Sequence, residues 1–87
     1  MRKKLVVNGK LSEGGVKYVA QRYAIKLKLT GFAKKHSTNT LVIEVQGTSE
    51  AIQEFKELLY KGTQFFEVDS IEEIELTEIE EKTFRIG

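Results

Sequence analysis

The residues in this sequence whose type and placement could do chemistry are mostly basic. Residues 1–43 carry ten Lys or Arg against a single acid, Glu13, while residues 44–87 carry four against twelve Asp or Glu. The net charge is only +1, so the asymmetry is internal. Solvated surface charge is its plainer reading; the sharper one is a local positive field that attracts an anion. Other chemistries are closed off. The chain has no cysteine, hence no thiolate nucleophile, disulfide or thiolate metal site. Its one histidine, His36, excludes a multi-histidine metal cage and reads as a solvent-facing turn residue. No metal and no cofactor are expected.

The elements that must position these charges follow from hydrophobic spacing. With 87 residues there is room for one domain, 1–87, and one core. Lys3 to Asn8 reads as a short strand. Ser12-Glu13-Gly14-Gly15 is a loop, since two adjacent glycines would cost a helix interior about 2 kcal/mol relative to alanine. Val16, Val19, Ala20, Tyr23, Ala24 and Leu27 recur at three- and four-residue steps, an amphipathic helix near residues 15–28. Leu29 to Lys35 is a strand, and His36-Ser37-Thr38-Asn39-Thr40 a polar turn, with Asn39 best able to hold a left-handed conformation. Leu41, Ile43 and Val45 alternate onto one strand face. Thr48 or Ser49 can cap a second helix near 49–61, with Gly62 at its C-terminus. Phe66 to Leu76 contains a long strand and Thr83 to Ile86 a short one.

Strand, helix, strand, strand, helix, strand is the order of the split βαβ motif. It predicts an α+β, ferredoxin-like βαββαβ sandwich: a four-stranded antiparallel sheet, a short fifth strand, and both helices on one face. The expected core is Leu5, Val7, Val19, Ala20, Tyr23, Leu27, Leu41, Ile43, Val45, Ile52, Phe55, Leu59, Val68 and Ile86. No stretch approaches the roughly 18 apolar residues of a membrane span. The apolar run after Met1-Arg2-Lys3-Lys4 stops at Asn8, too short for a signal peptide. A cytoplasmic monomer with no membrane partner is expected.

Five segments then match a known pattern. Gly9-Lys10-Leu11-Ser12-Glu13-Gly14-Gly15-Val16-Lys17 falls where acylphosphatases carry G-[RK]-V-Q-G-V-x-F-R. Ala24 to Lys35 resembles their A-x-x-L-G-L-x-G-W-V-x-N; Val45-Gln46-Gly47, Gly62-Thr63 and Phe84-Arg85-Ile86 are similar to the later V-x-x-x-x-Q-G, G-P and F-x-I. From Gly9 to Gly47 the spacing needs no gap, and the resemblance covers about residues 4–86. It implies the same fold, no cofactor, and hydrolysis of the carboxyl-phosphate bond of acyl phosphates. In that family the loop and helix start cradle phosphate with backbone amides, the motif's arginine grips it, and the motif's asparagine positions the attacking water.

Here the two catalytic positions are Lys17 and Lys35. Lys17 keeps a positive charge but loses the bidentate guanidinium fork. Lys35 is the larger change: an asparagine carbonyl accepts a hydrogen bond from water, whereas an ammonium only donates. The resemblance implies an anion site built from Lys10, Ser12, Gly14, Gly15, Val16 and Lys17, with phosphate or an acyl phosphate as ligand. The two ammoniums should lie near one another at the loop mouth, splayed apart, bridged by Glu13, or holding an anion between them. With its glycines at Gly14 and Gly15, the loop is expected to take another path than the family cradle. The expectation is a catalytically degenerate, phosphate-binding family member. A weakly active enzyme with a rearranged loop is one alternative. A protein- or nucleic-acid-interaction module is the other, although the aromatic RNP pattern of RNA-binding domains is absent.

Overall fold

A computed structural model of the chain describes residues 1–12 and 15–87. Seven elements follow in order: β1 (Arg2–Lys10), α1 (Val16–Lys26), β2 (Thr30–Ser37), β3 (Thr40–Gln46), α2 (Ser49–Lys61), β4 (Glu67–Leu76) and β5 (Phe84–Ile86). They build one sheet in the order β4-β1-β3-β2-β5. β4, β1, β3 and β2 each run antiparallel to their neighbours, and β5 adds in parallel to β2 through Gly31↔Phe84 and Ala33↔Ile86. This is the ferredoxin-like α+β arrangement. No helix among the described residues is long and apolar enough to cross a membrane.

Alternation sends Leu5 and Val7 of β1, Leu41, Ile43 and Val45 of β3 and Ala33 of β2 into the layer beneath the helices, where all are fully buried. The helices meet them with Val16, Ala20 and Ala24 from α1 and Ile52, Phe55 and Leu59 from α2. The α1 stripe differs from expectation. Small residues at i, i+4 and i+8 face the sheet and let the helix approach closely, which leaves Val19, Tyr23 and Leu27 on its half-buried flank. Val68 and Ile86 are likewise only partly buried, and their expected places are taken by Leu11, Leu29, Phe66 and Phe84.

Two local expectations also change. His36 and Ser37 belong to β2, so the turn is Thr38-Asn39 alone. Asn39 does not take a left-handed conformation; a register shift between Lys35 and Ser37 leaves His36 as an extra residue that absorbs the twist. Among the described residues the non-glycine residue with positive φ is Lys28, at 60°. It ends α1, and its neighbour Leu29 donates to Ala24 O at 2.8 Å before turning into the core. α2 is closed as expected: Thr48 Oγ1 accepts from Ala51 N at 3.1 Å, and Gly62 sits at the far end with φ 65°.

Arg2, at 3% exposure, is the buried charge of the described structure. It donates to Glu81 at 2.7 Å and to Glu44 at 3.0 Å. The hydrogen bond to Glu81, with Glu44 behind it, raises the pKa of the guanidinium. Beside it Gln46 clamps both backbone groups of Ile79, donating to its carbonyl at 2.7 Å and accepting from its amide at 3.0 Å. These contacts hold residues 77–83 across the sheet as they pass from β4 to β5.

Arg2→Met should destabilise the protein by about 3 kcal/mol in urea titration, because Glu81 would lose the charge that compensates its burial. Glu73 makes a second prediction. Lys3, at 2.7 Å, and Lys56 hold its pKa below the ordinary value. A depressed carboxyl pKa stabilises the fold above the unfolded-state pKa and loses that contribution as pH falls through the folded one. The stability gap between wild type and Glu73→Gln should therefore be widest near neutrality and close as pH drops below about 4.

Candidate functional site

The loop that leaves β1 is fixed at both feet. Leu11 is fully buried and Val16 is 2% exposed, with Ser12 exposed between them. Gly9 N donates to Asn39 O at 3.0 Å, tying the end of β1 to the β2–β3 turn. A Cβ on Gly9 would lie 2.1 Å from Glu67 O, so only glycine lets β4 come this close, at a register shift between Asn8 and Gly9. Gly15 then opens α1 with φ 57° and ψ 47°. Among the described residues a Cβ there would meet nothing nearer than a Tyr18 ring carbon at 3.8 Å, and the left-handed backbone asks for glycine by itself. Glu13 and Gly14 lie outside the described residues, so the expected Glu13 bridge and the Gly14 amide lie outside them too, as does most of the loop's path.

The two helix starts differ electrostatically. α2 has the Thr48 cap and Glu50 in its first turn, both suited to the positive end of a helix dipole. α1 begins on a glycine, carries no acid in its first turn, and holds Lys17 there. N–H groups with no side-chain cap among the described residues, a partial positive charge and an ammonium thus share one corner, and an anion is the group that satisfies all three. Val16 can take part only through its amide, since its side chain is core.

Lys17 Nζ donates to Gly87 O at 2.9 Å, and Gly87 N donates to Ala33 O at 3.0 Å. The residue after β5 therefore joins the first turn of α1 to β2, two positions before Lys35. Lys35 pairs in register with Leu41, which puts it on the helix-facing side of the sheet. It is half-buried, with no hydrogen-bond partner among the described residues. Lys10 goes elsewhere. Its side chain is largely exposed, 3.7 Å from Glu67 on β4, and lines a groove of about 380 Å³ with Thr63 and Phe66. Two carriers of this geometry were missed in the sequence: Gly87, for which parallel pairing of Phe84-Arg85-Ile86 was the available signal, and Arg2, which looked like one more surface charge. No group of three or more His, Cys, Asp or Glu able to hold a metal lies among the described residues.

Known proteins align with this arrangement along almost the whole chain. The sequence model of the acylphosphatase family matches residues 3–86. An acylphosphatase of Clostridium perfringens is 35% identical over 85 residues, 97% of this chain and 96% of that protein. An acylphosphatase of Geobacillus kaustophilus is 36% identical over 84 residues, 94% of this chain and 88% of that protein. The crystal structure of acylphosphatase from Bacillus subtilis superposes with a TM-score of 0.90 at 29% identity, covering 99% of this chain and 97% of the other.

Gly15→Ala should lower stability by about 1–2 kcal/mol, the cost of a left-handed alanine, and Gly15→Asn by less. Urea midpoints of the three proteins check this; equal costs for Ala and Asn would mean that something other than φ decides.

Proposed function

This chain belongs to the acylphosphatase family, and we propose that it binds phosphate or an acyl phosphate at the start of α1 while hydrolysing the carboxyl-phosphate bond weakly or not at all. The reading takes residues 1–87 as a single acylphosphatase-like domain. The observation that carries it is the first turn of α1, which opens on left-handed Gly15, contains Lys17 and contains no acid.

In the hydrolysis, water attacks phosphorus, the bond from phosphorus to the acyl oxygen breaks, and a carboxylate leaves. Binding of the phosphoryl group needs donors and positive charge, which the α1 amides and Lys17 supply. The chemical step needs more. The attacking water must be held by an acceptor, and Lys35 has only donors to offer. Transition-state charge spreads over the equatorial oxygens, and a lysine meets them as a point charge where an arginine would span two. Losing one positioned group of this kind costs about 10²–10³ in kcat. Affinity for the ground state therefore survives the two substitutions better than turnover does.

The test measures both quantities. Inorganic phosphate should raise the wild-type melting temperature by mass action. Lys17→Glu should abolish that response, and its melting temperature without phosphate is the reference, since the variant exchanges the bond to Gly87 O for a carboxylate at a helix N-terminus. Hydrolysis of a small aryl-carbonyl phosphate should be slow in wild type and rise by about 10² or more in Lys17→Arg with Lys35→Asn. A wild type that turns over as fast as the double variant would return Lys17 and Lys35 to ordinary catalytic standing and overturn the proposal.

A further inference from the structure

We propose that the free edge of β4 docks an extended partner segment in which basic residues alternate with apolar ones. The sheet ends at β4, which runs for ten residues with β1 on one side only. A strand in that position presents unpaired N–H and C=O groups along its outer side. Ile71 shows which groups these are: its amide donates outward, away from β1, to Tyr60 Oη of α2 at 2.9 Å. By the two-residue repeat of a strand, the amides of Glu73 and Glu75 point the same way. The Tyr60 hydroxyl occupies the place where the carbonyl of a docked strand would accept. Tyr60 is 49% exposed, so its ring can leave without opening the core.

Charge selects the occupant. β1 displays the chemistry that β4 already pairs with, since Lys3 reaches Glu73 at 2.7 Å and Lys10 reaches Glu67 at 3.7 Å on either side of Leu5-Val6-Val7. Asp69, Glu72 and Glu75 are exposed with no ion-pair partner among the described residues, Glu75 on the helix side with Glu73 and Glu72 beside Ile74 on the open face. Open-face neighbours include Ile74, 51% exposed, which accounts for the apolar half of the alternation. A second copy of this chain fits badly. Antiparallel pairing of β4 with itself would set acids opposite acids, and the other sheet edge, β5, is three residues long.

The probe is a peptide of β4's length that alternates Lys and Val, with a Glu–Val peptide as control. Calorimetry at low salt should detect binding of the first alone, weakening about tenfold as salt rises. Amide exchange at Ile71, Glu73 and Glu75 should slow in the complex. Tyr60→Phe, which frees the Ile71 amide, should tighten binding several-fold. The combined change Asp69→Lys, Glu72→Lys, Glu75→Lys should loosen it about tenfold or more, with the circular dichroism spectrum unchanged. Three results would each overturn the proposal: equal binding of both peptides, binding without protection of the β4 amides, or self-association that grows in Tyr60→Phe and assigns the edge to a second copy.

Discussion

The ion cluster of Arg2 with Glu44 and Glu81 is the constraint on which the working end of the molecule depends. β5 lies parallel to β2, so the chain must cross the sheet from one edge to the other to reach it. Three residues of strand cannot hold that connection by themselves. Arg2 holds it from below by tying β1 and β3 to Glu81. Gln46 completes the anchor, because its amide pairs with Ile79 as another strand would. With the crossover fixed, Phe84 can enter the core against Phe55, ring centroids 6.4 Å apart, and Gly87 arrives beside Lys17 and β2. A buried charge at one end of the sheet thus sets the position of an exposed one at the other.

The same sheet order sorts the charges. α1, β2 and β5 contain Lys17, Arg22, Lys26, Lys34, Lys35 and Arg85 and no acid. β4 contains Glu67, Asp69, Glu72, Glu73 and Glu75 and no base. Because β4 lies at one edge and β2 with β5 at the other, an imbalance along the chain becomes an imbalance across the molecule. The basic β1 runs beside the acidic β4 and neutralises part of it through Lys3 and Lys10. The lysines of α1 and β2 meet no such counterpart among the described elements. Among the described elements their charges therefore add up on the β2–β5 side of the sheet, a field that weakens as ionic strength rises.

Element order and most of the core were legible because they rest on periodicity, which a one-dimensional reading preserves. Leu5, Val7, Leu41, Ile43 and Val45 alternate, and Ile52, Phe55 and Leu59 recur at helical steps. In α1 the expected Ala20 is buried, but close helix–sheet packing put Val16 and Ala24 beside it in the core instead of the larger Val19, Tyr23 and Leu27 that a hydrophobicity pattern favours. The turn was misread because Asn39 is locally competent for a left-handed conformation, and the bulge at His36 removed the need for one. The place of Gly15 and Lys17 at the start of α1 could be read from spacing. The place of Lys10 beside Glu67 could not, since it depends on where β4 lies. Nor could the contacts of Gly87 or Arg2 be foreseen, as each partner is more than forty residues distant in sequence.

The buried residues that shape the fold of this chain are separate from Lys17 and Lys35. The family-like positions that shape the backbone do so by packing: Gly9 admits β4, Gln46 clamps the crossover, and Phe84 fills the core. Lys17 and Lys35 do neither. Both are partly exposed and outside the core, and exchanging either for arginine or asparagine would disturb no buried contact. Similarity spread over the whole chain speaks to architecture, and what a site does has to be argued from its own side chains. At those two positions the chain offers positive charge and hydrogen-bond donors, and an ammonium has no lone pair with which to accept.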